Sequence, residues 1–374
     1  MKFLRHEESQ QFWGDIMAEE EPLREHRFPL VSVQTAITWR VLFPLLGPVG
    51  GGEENPPGTS AGENPRRNGG SGNGNGKSFR KIPPGKTHGT PSLERAAEIV
   101  AADIPPVGYR HPIRLDHNSP AQSGDAGFRP LNVLDAGAGT GRYSLPIARM
   151  GHQVTHLDIS EAMLERARNQ AEREGLKNIT FRQGDVKNLD GIADQAFDMV
   201  LCMDAPISYC YPDHVKALQE VCRVARERVV LMVSSRLGVV PFMLDYDIDG
   251  TFVPPDRKNS SYPFPMARAL LENGVEDFPE DVVKYLEETG QLVPPDYSFT
   301  PDELMGLMKS AGFETEVLGG PGALARSIKP KSLEYILDRK KTFGAFLDMS
   351  MCFDFQTHSL GLGGVNLLAV GRRA

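Results

Sequence analysis

Cysteine is scarce in this chain, and so are long apolar runs. The four cysteines among 374 residues, Cys202, Cys210, Cys222 and Cys352, have neither metal-ligand nor redox spacing. We therefore expect reduced, packed thiols, as in a cytoplasmic protein, and no metal. The N-terminus lacks the apolar run of a signal peptide. The longest apolar stretch near it, residues 36–49, is too short and too interrupted to span a bilayer, so we expect no membrane association.

An excess of positive charge is also missing. The chain carries 41 basic and 49 acidic residues, a formal net charge of -8, which argues against broad binding to nucleic acid. Its basic stretch lies within residues 47–90, a segment rich in Gly, Asn and Pro with few apolar residues. That composition predicts a disordered linker, because it cannot bury enough surface to offset the entropy of ordering. A nucleic-acid arm is the rival interpretation of Arg66, Arg67, Lys77, Arg80, Lys81 and Lys86.

From residue 131 onward, short apolar runs alternate with amphipathic segments. Apolar strands in alternation with helices predict an α/β fold with a parallel sheet covered on both faces. We expect this core to comprise residues 91–236 and 300–374. We expect residues 1–46 to form a separate helical segment.

Two insertions, residues 237–299 and 319–364, interrupt the predicted core. The first is long, Pro-rich and aromatic, and the second is expected to include a helix over 331–347. Both leave the carboxyl ends of predicted strands, where ligands bind in parallel sheets. Together with residues 1–46 they are predicted to form a substrate cap. Their aromatic residues indicate a partly aromatic pocket for a small molecule: Phe242, Tyr246, Phe252, Tyr262, Phe264, Phe343, Phe346, Phe353 and Phe355.

An acidic run in the first insertion, from Asp245 to Asp256, has the ligand spacing of an EF-hand calcium loop. Pro254 and Pro255 would block the helix that must leave such a loop. We therefore predict a polar turn there.

The segment 133–141 reads Val-Leu-Asp-Ala-Gly-Ala-Gly-Thr-Gly and is the strongest functional signal. Its apolar start predicts a buried strand, and its glycines predict a tight turn into a helix beginning near Arg142. Glycine tolerates positive φ there and lets a ligand touch the backbone, and amides at a helix start favour an anionic group. A nicotinamide-binding fingerprint would need a glycine at position 142, so the spacing disfavours a dehydrogenase.

At this point the chain resembles the class I S-adenosylmethionine-dependent methyltransferases of the small-molecule type. The resemblance covers residues 131–236 and resumes near 300. It rests on the Asp-x-Gly-x-Gly-x-Gly turn, Asp158 after the second strand, Gly184-Asp185 after the third, and an apolar fourth strand running into Asp204. It implies a doubly wound, mostly parallel, seven-stranded Rossmann-like sheet with an antiparallel last strand and helical lid insertions, and S-adenosyl-L-methionine as cofactor.

The resemblance also implies the cofactor-binding residues. Asp135 would reach the ammonium of the methionine moiety, and Asp158 would accept hydrogen bonds from the ribose diol. Asp185 would accept from the adenine amino group. The remaining members of this set are Gly137, Gly139 and Gly141 in the turn, Ile159 and Val186 beside the adenine, and Cys202 and Met203 beside the sulfonium.

Methyl transfer from a sulfonium needs an oriented acceptor and often no dedicated acid or base. The catalytic candidates follow the fourth strand: Asp204 to hold or deprotonate the acceptor, Tyr209 to line its pocket together with Tyr211, and His214. The alternatives are a turn residue for Asp204, core packing for the tyrosines and a solvated or capping histidine for His214.

The expected function is methylation of a small organic acceptor at oxygen, nitrogen or carbon. One rival is an RNA or protein methyltransferase, supported by the basic stretch 66–86 and opposed by the acidic total. Another is an inactive, cofactor-binding regulatory module. The sequence names neither the acceptor nor the oligomeric state.

Overall fold

The computed structural model describes residues 29–47, 129–249, 264–275, 296–356 and 363–374, together with residues 284 and 288. The predicted linker over 47–90 lies outside the described residues except for Gly47. The same holds for residues 91–128 of the predicted core.

One seven-stranded sheet occupies the centre of the described part. Its strands are β1 (Asn132–Ala136), β2 (Gln153–Asp158), β3 (Ile179–Gln183), β4 (Phe197–Cys202), β5 (Ala225–Ser234), β6 (Phe313–Gly319) and β7 (Asn366–Arg373). The strand order is β3-β2-β1-β4-β5-β7-β6. β1 to β5 pair in parallel, and β7 is antiparallel to both β5 and β6. The predicted doubly wound sheet with an antiparallel last strand is confirmed.

Helices cover both faces of the sheet. They are α1 (Pro29–Leu46), α2 (Ser144–Arg149), α3 (Glu161–Arg173), α4 (His214–Val224), α5 (Arg236–Asp249), α6 (Pro265–Asn273), α7 (Pro301–Ser310), α8 (Ala323–Arg326), α9 (Pro330–Leu337) and α10 (Lys340–Asp354). Within the described ranges, no helix combines the length and apolar character needed to cross a membrane.

Alternate residues of the central strands enter two apolar clusters on opposite faces. Val133 and Val230 belong to a cluster completed by α1, α9 and α10. Leu134 and Leu231 belong to a second cluster that includes residues of α4 and α7. Because both faces are buried, the strands are continuously apolar rather than alternating.

The N-terminal helix α1 is part of the core. Trp39 is fully buried, and its ring lies 5.8 Å from that of Tyr143, centroid to centroid. The Gln34 side-chain amide donates to the Pro321 carbonyl oxygen at 3.2 Å, and Arg40 forms an ion pair with Asp348 of α10. The predicted helical segment thus joins the second insertion on one face of the sheet.

The first insertion begins with a helix, in line with the helical insertions that the resemblance implies, since α5 follows β5 almost directly. Two finer predictions about the insertions are wrong. The polar turn predicted at the start of the acidic run is helical, because Asp245–Asp249 form the last residues of α5. The single helix predicted over 331–347 is two helices, since Arg339 adopts an extended conformation with φ -127° between α9 and α10.

A Thr-Pro-Asp-Glu sequence, which is typical of a capping box, begins the helix α7 at Thr300. The Thr300 hydroxyl accepts from the Glu303 amide at 3.3 Å, and the Glu303 carboxylate accepts from the Thr300 amide at 2.8 Å. These two hydrogen bonds form a capping box, and proline occupies the first helical position. The capping box fixes the end of the preceding segment, residues 296–300, which we call the strap.

Replacing Thr300 with Ala should lower the free energy of unfolding by about 1 kcal/mol, because it removes the side-chain acceptor of the cap. Denaturant unfolding of the purified protein measures this. Ser310→Ala, at the exposed far end of α7, is the control and should change stability little. Equal effects of the two substitutions would contradict the role of the cap.

Candidate functional site

A cavity of about 750 Å³ opens at the carboxyl ends of β1 to β5. One half is formed by the loops after β1, β2 and β3, and the other by the segment after β4, the end of β5, α5 and the start of β7. α1 contributes Leu30, Val31 and Gln34. The site therefore lies where parallel sheets bind ligands.

The glycine turn forms the floor of the first half. The amides of Gly137 and Ala138 donate to the Leu157 carbonyl oxygen at 2.8 and 2.9 Å. Gly137 has φ +76°, and a Cβ there would lie 2.5 Å from the Pro206 side chain. Gly139 has φ +56°, and a Cβ there would meet no atom of the described structure within 4 Å. The turn thus leaves its backbone at Gly139 open to a ligand.

Asp158 ties this turn to the next loop. Its Oδ2 accepts from the Gly139 amide at 2.7 Å, and its Oδ1 accepts from the Ser160 amide at 2.9 Å. Hydrogen bonds from amides to a carboxylate are among the strong ones in proteins. The carboxylate therefore fixes both loops while it lines the cavity.

Asp135 is a buried acid without a counterpart. It is 1% exposed, and neither carboxylate oxygen has a hydrogen-bond partner among the described residues. Burial raises the pKa of Asp135 to about 7, the polar groups of Ser144 counter this in part, and the charges of Asp158 and Asp204 raise it further. An unpaired acid in the wall of a cavity fits a ligand that brings a positive group.

A buried histidine contacts the glycine turn and the start of α2. His156 Nδ1 lies 2.7 Å from the Ser144 hydroxyl, and its Nε2 lies 3.1 Å from the Gly139 carbonyl oxygen. Burial lowers the pKa of His156 to about 4, so the ring is neutral. The neutral tautomer that satisfies both contacts donates from Nε2 to Gly139 and accepts the Ser144 proton at Nδ1. The sequence analysis missed His156, because it stands in the middle of a strand with no motif around it.

Arg142 occupies the position where a nicotinamide-binding fingerprint would have its third glycine, and it fixes the turn after β4. Its Nη1 donates to Asp204 Oδ2 at 2.8 Å. Asp204 and Ala205 both have positive φ, +61° and +70°, a conformation that non-glycine residues rarely adopt. The Ala205 amide donates to the Met232 carbonyl oxygen at 3.0 Å. These contacts hold the strained turn and place the Asp204 carboxylate at the cavity wall.

The adenine-side candidates also meet at the cavity. Ile159, Asp185 and Val186 line it, and so does Met203, the candidate beside the sulfonium. Asp185 accepts from the Lys187 amide at 2.9 Å, and its Oδ2 lies 3.6 Å from Lys187 Nζ. These contacts hold the loop after β3 in one orientation.

Three predicted site residues do not line the cavity. A Cβ at Gly141 would lie 2.7 Å from Leu145, so this glycine serves the packing of α2. Cys202 is fully buried in the core, and burial raises the pKa of its thiol well above the usual value. His214 stacks on Tyr297 with ring centroids 3.9 Å apart, and burial lowers its pKa. These residues pack rather than face a ligand.

Only a few of the aromatic residues predicted to line the cavity do so in the described structure. Tyr209, Tyr211, Phe242 and Tyr246 line the cavity. The rings of α10 and its C-cap pack into the core instead: Phe343, Phe346 and Phe355. Phe264 is exposed, Phe353 is half-buried, and Phe252 and Tyr262 lie outside the described residues.

Comparison with known proteins agrees with this geometry. Residues 129–242 match the family described as "Methyltransferase domain". Residues 129–242 therefore form a methyltransferase domain, and the recognition made from the glycine turn and the acids after the strands is confirmed.

Several proteins of similar sequence are named as methyltransferases. An uncharacterized methyltransferase of Bacillus subtilis is 33% identical over 95 residues, which are 25% of this chain and 36% of that protein. A ubiquinone biosynthesis O-methyltransferase of Methylocella silvestris is 42% identical over 74 residues, 20% of this chain and 28% of its own. The chain thus spans about a third of the length of these curated relatives.

A solved structure of similar fold is magnesium protoporphyrin IX methyltransferase from Synechocystis PCC 6803 with bound SAH. It is 17% identical, with a TM-score of 0.36, over 66% of this chain and 75% of that one.

Asp135→Asn should stabilise the ligand-free protein at pH 8 and have little effect near pH 4. The folded pKa of about 7 exceeds the ordinary value of 3.8, so wild-type stability falls as pH rises between these values and stays low above them. The full difference is up to about 4 kcal/mol. Thermal unfolding from pH 4 to 8 measures it, and a pH-independent difference would contradict the assignment.

His156→Asn should weaken binding of S-adenosylhomocysteine by about three- to tenfold, the value of one hydrogen bond. Asparagine can replace Nδ1 toward Ser144 but does not reach Gly139. The measurement is titration calorimetry.

His152→Asn is the matched control. His152 is also fully buried, and its Nδ1 accepts from the Leu131 amide at 3.1 Å. Both substitutions remove ring volume, so both lower stability, but only His156→Asn should change affinity. An equal loss of affinity in both variants would refute the support role of His156.

Proposed function

We propose that the protein transfers a methyl group from S-adenosyl-L-methionine to a small organic acceptor. The observation that carries the proposal is the unpaired, buried Asp135 beside an open glycine backbone, in a cavity whose other half is aromatic. The cofactor supplies a methyl group already activated on a sulfonium. The residues of the cavity need only bind, orient and exclude water.

The first half of the cavity suits the cofactor. Asp135 would pair with its ammonium, and a carboxylate is the natural partner for that charge. Asp158 would accept from the ribose hydroxyls, because a carboxylate offers several acceptor positions beyond those that the loop amides use. Asp185 and Val186 would contact the adenine edge, and Ile159 its face.

The second half suits an acceptor with apolar surface. Phe242, Met243 and Tyr246 of α5 line it, and so do Tyr209 and Tyr211. We propose that α1, α5 and residues 319–364 act together as the substrate cap. Fixing an acceptor in attack geometry can contribute roughly 7–11 kcal/mol in the best intramolecular models.

Asp204 orients the acceptor in this proposal. Its carboxylate is already held in place by the Arg142 guanidinium at 2.8 Å. Tyr209 lines the pocket beside it. His214 is left out of the chemistry because it packs in the aromatic stack.

Relatives named for ubiquinone and magnesium-protoporphyrin O-methylation support a small acceptor. An RNA or protein substrate is disfavoured by the net charge of -8, and we propose a cytoplasmic location. If RNA were the substrate, deleting residues 47–90 would abolish activity, whereas methylation of a small acceptor should survive the deletion.

The test is transfer of labelled methyl from the cofactor to small-molecule extract and, separately, to RNA. Wild-type protein should label a small molecule, and Asp158→Ala should lose both labelling and calorimetric binding of S-adenosylhomocysteine. Asp190→Ala, an exposed acid outside the cavity, is the control. Cofactor binding without transfer to any acceptor would instead indicate a regulatory module, and unchanged binding by Asp158→Ala would remove that residue from the site.

A further inference from the structure

One acidic residue of the cavity has no role in the scheme above. Asp296 lines the second half together with Ser234, Phe242 and Met243. It lies at the start of the strap, far along the chain from the methyltransferase landmarks. Its position puts a carboxyl group where the acceptor would lie.

The strap holds Asp296 firmly. The Tyr297 amide donates to the Ser208 carbonyl oxygen at 3.0 Å, and the Phe299 amide donates to the Ser234 carbonyl oxygen at 2.8 Å. Arg236 adds hydrogen bonds to the Ser298 carbonyl oxygen and the Tyr297 hydroxyl, each at 3.2 Å. The backbone next to Asp296 is therefore fixed to the ends of β4 and β5, as a reacting group requires.

The surroundings of Asp296 leave its carboxyl available. Oδ1 is buried and has no hydrogen-bond partner among the described residues, and the Ser234 hydroxyl bonds to the carboxyl group. The cations that line the cavity are held elsewhere, Arg142 by Asp204 and Lys187 by Asp185. A buried acid with one neutral partner suits a ligand that brings a hydrogen-bond donor.

We propose that Asp296 accepts the proton released when the acceptor is methylated, so that the acceptor carries an O–H or N–H at the methylated atom. This inference rests on the proposed function. The heteroatom gains a bond to the methyl carbon and loses its bond to hydrogen. It keeps the electron pair of that bond, and the proton goes to an Asp296 carboxylate oxygen.

The acidity of Asp296 agrees with this role. Burial raises its pKa to about 6, and the Ser234 hydroxyl lowers the pKa in part. A base with a pKa close to the working pH is ionised and still basic enough to take a proton. Above about pH 6 the carboxyl group is mostly ionised and can accept a proton, whereas below about pH 6 it is mostly protonated and cannot.

The experiment first screens wild-type protein with labelled cofactor against phenols, alcohols, primary and secondary amines and N–H heterocycles, beside tertiary amines and thioethers. Labelling should be confined to compounds with an O–H or N–H. Asp296→Asn should then lower kcat for the labelled acceptor by about 100-fold or more, without changing the calorimetric affinity for S-adenosylhomocysteine. Asp245→Asn, an exposed acid of α5 outside the cavity, should match wild type in both.

A second variant tests the proton directly. Ser234→Ala removes the hydroxyl that lowers the Asp296 pKa, so the acidic limb of kcat/KM should move to higher pH. The pKa of the acceptor itself would not respond to this substitution. Infrared titration of the carboxyl band, with S-adenosylhomocysteine bound, should show the same upward shift, and the band should be missing in Asp296→Asn.

The outcomes separate the two proposals. No transfer by the wild type to any acceptor overturns the proposed function. Transfer to a tertiary amine or thioether, full activity of Asp296→Asn, or an unmoved acidic limb in Ser234→Ala overturns the role of Asp296 alone. If Asp296→Asn does not fold, the acceptor screen and Ser234→Ala still decide.

Discussion

The site depends on one carboxylate that accepts two backbone amides. Asp158 binds the amide of Gly139 from the loop after β1 and the amide of Ser160 from its own loop. These amides belong to chain segments that only the parallel pairing of β1 and β2 brings together. Loop position, the direction of the glycine turn and the start of α3 therefore all follow from the register of two strands.

The acidic residues of the cavity differ in whether a basic side chain is paired with them. Asp185 and Asp204 each have a cation within the site, whereas Asp135 and Asp296 are buried with raised pKa values. Desolvation penalises the charged form of each, and a ligand that supplies a positive or donating group removes the penalty. The two unbalanced acids lie in opposite halves of the cavity, so binding at one end leaves the other to respond to a different molecule.

The sequence predicted what depends on local chemistry. The apolar strands, the positive φ of the glycine turn and the capping box at Thr300 are each decided within a few residues. The acids after β1 to β4 were found because they end strands. His156, Asp296 and the Arg142–Asp204 pair were missed as a group, since each matters through a partner distant in the chain. The position of α5 was not predicted, because the sequence before the acidic run gave no convincing sign of a helix, whereas packing of Val239 and Met243 with Met266 and Leu270 stabilises one there.

The burial of Trp39 has a consequence for where the catalytic unit begins. α1 is separated from β1 by more than 80 residues of chain, yet it fills the same hydrophobic cluster as the sheet. Closing a longer connection costs only about 0.6 kcal/mol for each doubling of its length. Evolution can therefore lengthen or shorten that connection freely, whereas cutting the gene at the start of the glycine-turn domain would strip the protein of a wall of its own active cavity.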